Sequence, residues 1–228
     1  MGKRYFTPDL FAFLKDLGDN NDRVWFKANQ DRYEGSVRQP ALDFITDYAE
    51  PLAAISEHFV ADSRTVGGSL FRIQRDTRFA KDKTPYKLNT GMHFRHERAK
   101  DAHAPGFYVH LQPGQCFMGV GLWHPETKVA YQIRHHIDDQ QAGWKRATRS
   151  EAFSGPFTLG GESLARPPRG FDAEHPLVDD LRRKSFMATT KLTQREVTSS
   201  SFMDLVYDHS RRAAPMMRFL CDAVDIPF

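Results

Sequence analysis

The sequence predicts a single α+β domain in which a largely antiparallel sheet packs against N- and C-terminal helices. Apolar residues follow helical spacing through the first sixty residues, and this spacing returns after residue 126. Between these regions, short segments rich in aromatic and β-branched residues are separated by glycine, proline or charged turns. The 228 residues, 40% hydrophobic and 27% charged, suffice for one sizeable core, and we find no repeat or linker that divides the chain.

The N-terminal region is predicted to form three helices. A threonine cap followed by proline and aspartate marks the start of the first helix, over residues 7–18. Asn21 is the predicted cap of a second helix that extends over residues 21–33. A third apolar stripe covers residues 40–59, and Pro51 is expected to kink or break it.

The middle of the chain supplies most of the predicted sheet. The turn at residues 113–115 contains proline and glycine, and it favours an antiparallel hairpin between its two neighbouring segments. The predicted strands are residues 69–74, 89–95, 106–112 and 116–122.

The C-terminal half returns to helices. Residues 126–149 have helical spacing, and residues 155–176 form a long connection rich in glycine and proline. The last thirty residues are predicted to be mostly helical, with a kink at Pro215.

Positive charge is concentrated in one short stretch, residues 71–87, which we call the basic segment. It carries six basic and two acidic residues, a local net charge of +4, whereas the whole chain has a net charge of +3. The remaining residues therefore have a net charge of −1. Overall charge does not by itself indicate a nucleic-acid-binding protein, but the concentration indicates an anion site.

Arginine presents a planar fork to carboxylate or phosphate oxygens, and lysine adds a point charge, so a mixed cluster suits an acidic ligand. A second cationic loop at residues 166–170 is expected to lie close to the basic segment around the same anion. Arg78 is the cation that we expect to face the ligand most directly. The predicted anion-binding residues are Arg72, Arg75, Arg78, Lys83, Tyr86, Lys87, Arg166 and Arg169.

Asp76 is the predicted catalytic residue, acting as a base or orienting the arginines around it. A carboxylate among several arginines should have a lowered pKa, which disfavours the role of base. Asp82 is expected to hold cations of the same segment in place.

Several cofactor and nucleophile motifs are absent from the sequence. We find no phosphate-binding loop and no nucleophile elbow, and Gly119-Val120-Gly121 lacks the third glycine of a dinucleotide fingerprint. We therefore expect no cofactor.

The ten histidines do not have the spacing of known metal motifs. His93 and His96 should point to opposite faces of a strand, and His135 and His136 should diverge on a helix. We therefore expect no metal. His110 and Cys116 could be imagined as a nucleophile pair, but a cysteine within a strand is typically inert.

The two cysteines, Cys116 and Cys221, are expected to be unpaired core residues in a reducing compartment. No apolar run approaches the length of a membrane span or of a secretory signal. These features predict a cytoplasmic protein without a membrane partner.

The pattern of Arg72, Arg75, Asp76, Arg78, Phe79, Asp82, Lys83 and Tyr86 resembles the defining motif of an uncharacterised, mainly bacterial family, domain of unknown function family number 2461. Further blocks resemble that family in the same order along nearly the whole chain. The resemblance implies one domain of the family's usual length and brings no assigned reaction. The further blocks are NNDRVWF at 20–26, GVGLWHP at 119–125, IRHHI at 133–137 and LARPPRGFDAEHP at 164–176.

Three interpretations of function remain open at this point. The first is an anion-binding cleft, of a binding protein or of an enzyme, for a phosphorylated or acidic small molecule or for nucleic-acid ends. The second is a nucleic-acid-binding module, in which Phe71, Phe79 and Tyr86 stack on bases between basic residues. The third is a structural or interaction protein in which the Arg/Asp motif is internal bracing.

Overall fold

The computed structural model describes residues 2–98 and 105–228, and it confirms the predicted α+β domain. The described strands form one sheet in the spatial order β1-β2-β3-β4-β6-β5, and every neighbouring pair is antiparallel. The strands are β1 Phe59–Val60, β2 Thr90–His96, β3 Gly106–Leu111, β4 Cys116–Leu122, β5 Thr158–Gly160 and β6 Phe186–Leu192.

The helices lie mainly before β1 and after β4, as predicted. Among them, α3 continues through a π-helical turn at Glu34–Arg38 into α4. The helices are α1 Pro8–Asp19, α2 Arg23–Ala28, α3 Gln30–Tyr33, α4 Gln39–Ala53, α5 Thr127–Asp139, α6 Gln141–Arg149, α7 Glu151–Ser154, α8 Val178–Leu181, α9 Gln194–Val197 and α10 Phe202–Ala223.

One face of the sheet, which we call the core face, packs against these helices. Alternate residues such as Met92 and Phe94 of β2 and Phe107 of β3 are fully buried there. Burial of each large apolar side chain contributes about 1.5–3 kcal/mol. Tyr48 of α4 and Ser210 of α10 share a buried hydrogen bond of 2.5 Å, which joins the N- and C-terminal helices across this core.

Two predicted helix boundaries are wrong. The third helix ends at Ala53, two residues after Pro51, and Phe59 lies in β1 rather than on the helix. The second helix is capped by Asp22, whose carboxylate accepts from the backbone N–H groups of Val24 and Trp25. Asn21 is thereby free for a tertiary contact with the basic segment.

Residues 69–74, predicted as a strand, are extended but form only isolated bridges. β1 pairs with the far end of β2, and residues 69–71 occupy the next positions along the same edge. Phe71 donates its backbone N–H to Gly91, and His93 donates to Ser69, at 2.9 and 2.8 Å. The chain then leaves β2, because residues 73–75 pair with residues 85–87 instead.

Strand β6 is missing from the sequence prediction, although it is as long as β2 and lies inside the sheet. Its even-numbered residues from Phe186 to Leu192 are buried and its odd-numbered ones are more exposed. This alternation is typical of a strand with one face on the core.

Arg134 of α5 anchors the chain that leads into β6. Its side chain is 5% exposed, and its guanidinium donates to the carbonyls of Leu181 and Arg183 at 2.7 and 2.8 Å. The same group lies 5.5 and 5.8 Å from the ring centroids of Tyr131 and Phe186. A buried cation is thus satisfied by carbonyl oxygens and aromatic faces.

Candidate functional site: a pocket on the outer face of the sheet

The face of the sheet opposite the core, which we call the outer face, carries a pocket of about 380 Å³. The volume lies within the usual range for small-molecule sites, about 300–1,000 Å³. We call this cavity the outer-face pocket. The side chains that form its walls are Phe71, His93, Tyr108, His110, Phe117, Trp123 and Met187.

Glycines from two adjacent strands form part of the pocket surface and keep it open. A β-carbon at Gly106 would collide with Nε2 of His93, and one at Gly121 would collide with the carbonyl oxygen of Phe186. Gly121 also has a φ of +114°, a conformation that side chains disfavour. Gly119 differs, because an added β-carbon there would meet no atom closer than 3.8 Å.

His93 is the most enclosed polar side chain of the pocket. The residue is 8% exposed, and its Nδ1 atom has no hydrogen-bond partner among the described residues. Burial, helped by the nearby charge of Arg95, lowers its pKa to about 4. The imidazole is therefore neutral at pH 7, with one donor and one acceptor nitrogen.

Tyr108 and His110 form a hydrogen-bonded pair beside His93. The Tyr108 hydroxyl lies 3.0 Å from Nδ1 of His110, and Nε2 of His110 lies 3.0 Å from Oε1 of Gln112. Since the amide oxygen only accepts, Nε2 carries the proton and Nδ1 accepts from the tyrosine. Burial raises the pKa of Tyr108 to about 12 and lowers that of His110, so both groups are uncharged at neutral pH.

Three cations, Arg72, Lys87 and Arg95, are neighbours of Phe71 or His93 in the pocket wall but do not line the pocket themselves. The Lys87 ammonium is 5.5 Å from the ring centroid of Phe71 and donates to the carbonyl of Arg72 at 2.8 Å. Burial, with the charge of Arg72 nearby, lowers the pKa of Lys87. Arg95 follows His93 by two residues on the same strand face, and it donates to the Gly67 carbonyl at 3.3 Å. None of the three forms an ion pair with an acid among the described residues.

The other arginines of the basic segment are paired with its own acids. Arg75 hydrogen-bonds to the side chains of Asp82 and Thr84. Arg78 forms a two-pronged pair with Asp76, at 2.9 Å from Nε and 2.6 Å from the terminal nitrogen. The bond from Arg78 lowers the pKa of Asp76 far below its usual range, and the bond from Arg75 lowers that of Asp82 to about 2. This placement favours bracing over a catalytic base.

Two further predicted residues also have internal contacts. Lys83 donates to the Thr77 carbonyl at 2.8 Å, which closes the loop of the basic segment. Tyr86 is buried and stacks on Phe26 with 4.1 Å between ring centroids. Asn21 bonds to both the N–H and the C=O of Tyr86, at 3.1 and 3.0 Å. The segment is therefore fastened to the N-terminal helices.

Arg166 and Arg169 lie in a different part of the structure. Both are exposed, and their loop is held by Arg182, which donates to the carbonyls of Leu164 and Ala165. In the described part of the chain, no hydrogen bond, ion pair or ring contact joins residues 164–171 to the basic segment. The structure thus places Arg72 and Lys87 next to Phe71 of the pocket wall, without contacts from Arg166 or Arg169.

The outer-face pocket was not predicted from the sequence. A signal for it exists in the alternation of β3 and β4, because the outward positions of these two strands hold glycine, histidine and aromatic residues instead of charges. In β3 these positions are Gly106, Tyr108 and His110, and in β4 they include Phe117 and Gly119. Uncharged outward positions on two central strands of an antiparallel sheet indicate a surface that something else covers.

The remaining cysteines and histidines do not form a second centre in the described residues. Cys116 and Cys221 are buried and free. His96 faces away from the pocket and binds the Pro227 carbonyl at 2.8 Å. Residues 2–98 and 105–228 contain no cluster of three or more potential metal ligands, and none of their helices is long and apolar enough to cross a membrane.

The comparisons with known proteins agree with the motif of the basic segment. A comparison with curated proteins finds no match. A family model described as "Conserved hypothetical protein (DUF2461)" matches residues 9–219. This range includes both the basic segment and every wall of the outer-face pocket, and we conclude that the chain belongs to the DUF2461 family.

Proposed function

We propose that the protein binds a small acidic molecule in the outer-face pocket. A flat apolar part of this molecule would lie between the aromatic walls, and its acidic group would lie beside Arg72, Lys87 and Arg95. The observation that carries the proposal is the glycine-floored pocket, next to cations that form no ion pair with an acid among the described residues. Of the eight anion-binding residues predicted from the sequence, this proposal retains Arg72 and Lys87.

Bracing is the role that we propose for the rest of the basic segment. Arg75, Asp82 and Thr84 close its base, and Asp76 pairs with Arg78 near its tip. A fixed segment holds Phe71 and Lys87 in place at the pocket wall. Ligand binding and bracing are therefore parts of one proposal, carried by different residues of the same motif.

A reaction on the bound molecule would depend on the titratable groups of the pocket. His93 and the Tyr108–His110 pair are able to donate or accept a proton there. Asp76 is not part of this proposal, because it is exposed and paired with Arg78. A bacterial origin and a cytoplasmic location remain predictions, with two free cysteines as support for a reducing compartment.

The nucleic-acid alternative retains one supporting observation. Phe79 is 95% exposed at the tip of the basic segment, next to Arg78. An exposed ring beside a cation can stack on an unpaired base. Binding of this kind would weaken steeply with salt, whereas a small ligand in the outer-face pocket would show a shallow dependence.

Filling the pocket at Gly119 should abolish ligand binding without unfolding the protein. We expect phenyl phosphate or benzoate to raise the melting temperature of the wild type, and inorganic phosphate to do so less. Gly119→Leu should weaken binding at least tenfold, or about 1.4 kcal/mol. The measurement is calorimetric titration, preceded by a melting curve of each variant without ligand.

Gly119→Ala is the matched control, because its β-carbon has room beside Phe117 and Thr189. It should fold at least as well as the wild type, since glycine weakens strands, and it should retain most of the binding. Equal affinity of the leucine variant and the wild type would show that the ligand lies elsewhere. No binding of either probe to the wild type would refute the proposal.

A further inference from the structure

We propose that the flat part of the ligand is a nucleobase and that the ligand is a nucleotide. This inference rests on the proposed function and gives it a substrate class. It comes from the polarity of the pocket walls, their shape, and the position of the nearby cations, taken in turn below.

The walls are polar but carry no charge of their own at neutral pH. His93 is a buried neutral imidazole, His110 donates to Gln112, and Tyr108 keeps its proton. An acidic group placed among these three side chains would therefore have no positive charge to pair with. The part of the ligand that enters the pocket should therefore be uncharged, and it should have hydrogen-bonding atoms.

His93 gives this expectation a specific atom. Its Nδ1 is enclosed by the protein without a partner among the described residues, whereas Nε2 of the same ring lies beside Gly106 of the pocket surface. A plain hydrocarbon ring would leave the imidazole unsatisfied. The edge of a nucleobase carries both donors and acceptors, so it can bind a neutral imidazole in either tautomer.

The shape of the pocket favours a flat ring. Phe71, Tyr108, Phe117 and Trp123 supply aromatic faces or edges, and glycines supply a surface without side chains. Stacking on an aromatic side chain favours any base, because every base has a flat π face. A purine or pyrimidine combines this flatness with the polar edge that His93 requires.

The phosphate would lie at the β2 wall. Lys87 packs on Phe71, and Arg95 lies on the same strand face as His93. Lys87 and Arg95 donate to carbonyl oxygens and form no ion pair among the described residues. The charge of Arg95 helps to lower the pKa of Asp62, but that carboxylate pairs with Arg64 instead. One ligand would then satisfy both the neutral pocket and the positive wall.

The test compares four nucleoside 5′-monophosphates with phenyl phosphate by calorimetric titration. Phenyl phosphate has the ring and the charge but lacks the hydrogen-bonding edge. We expect the best nucleotide to bind at least tenfold more tightly than phenyl phosphate. His93→Phe should remove this preference by weakening nucleotide binding more than phenyl phosphate binding, and His93→Gln should retain part of the preference.

Equal binding of nucleotides and phenyl phosphate would overturn this inference and leave the proposed function standing. A nucleotide preference that His93→Phe does not change would also overturn it. If no phosphate-bearing ring binds the wild type, the proposed function itself fails. Melting curves without ligand show whether either variant is folded, and His93→Gln replaces the phenylalanine variant if that one is not.

A 5′-phosphorylated trinucleotide distinguishes the two sources of a nucleotide. Tighter binding of the mononucleotide would assign the pocket to free nucleotides. Tighter binding of the trinucleotide, with a steep dependence on salt, would assign it to the end of a single strand. Either result supports recognition of a base with its phosphate.

Discussion

Replacing Arg134 by alanine should lower the free energy of unfolding by about 3–5 kcal/mol. Its guanidinium donates a buried hydrogen bond to the Leu181 carbonyl and a partly buried one to the Arg183 carbonyl, and each bond to a charged group contributes about 1.5–3 kcal/mol. The truncation also removes a group packed against Tyr131 and Phe186. Because these carbonyls precede β6, the loss should loosen an interior strand of the sheet.

Urea unfolding monitored by circular dichroism measures this effect. Lys128→Ala is a suitable control, since Lys128 is an exposed cation at the start of the same helix, and it should change stability by less than about 0.5 kcal/mol. Arg134→Lys should be intermediate, because one ammonium cannot reproduce the planar fork. An alanine variant as stable as the control would show that the loop before β6 is held by other contacts.

Protonation of His93 should destabilise the protein as the pH falls. Its pKa is about 4 in the folded protein and about 6.5 in an unfolded chain. Between these values the unfolded state binds the proton and the folded state does not, so stability is lost as the pH falls from 6.5 towards 4. From pH 7 to pH 4.5 the loss from this group should be about 2.5 kcal/mol.

A comparison with His93→Gln isolates this contribution. Other histidines with lowered pKa values, such as His96 and His209, titrate over a similar range in both proteins and cancel in the difference. Denaturant unfolding at pH 7, 5.5 and 4.5 should therefore give a steeper loss for the wild type. Parallel curves for the two proteins would mean that His93 is solvated rather than enclosed by the pocket.

Most of the fold follows from local sequence patterns. The cap at Thr7 and the hairpin turn at residues 113–115 depend on neighbours in the chain, and both elements are found where they were predicted. The segment at residues 69–74 was less predictable, because its partners on β2 and at residues 85–87 are decided by tertiary pairing. β6 has a clear alternation of buried and more exposed residues. It was not predicted because it follows the long glycine- and proline-rich connection, after which no strand was expected.

The sequence predicted the basic segment of the candidate site but not the pocket beside it. Charge density identified the basic segment, but it did not show which cations are neutralised within it. Arg75 pairs with Asp82 and Arg78 with Asp76, whereas Lys87 donates to a carbonyl and lies over the Phe71 ring. The pocket itself combines side chains from β2, β3, β4 and β6 with Phe71, and no single stretch of sequence contains that set.

The most direct test of the outer-face pocket as the ligand site is a crystal structure with a bound phosphate ester. The ligand should be the nucleotide with the highest affinity, or phenyl phosphate if no nucleotide binds more tightly. We predict its ring in the outer-face pocket, against the packed pair of Phe71 and Tyr108 and close to His93, and its phosphate beside Lys87 and Arg95. A phosphate bound at Arg78 or at Arg166 and Arg169, with the outer-face pocket empty, would contradict the proposal.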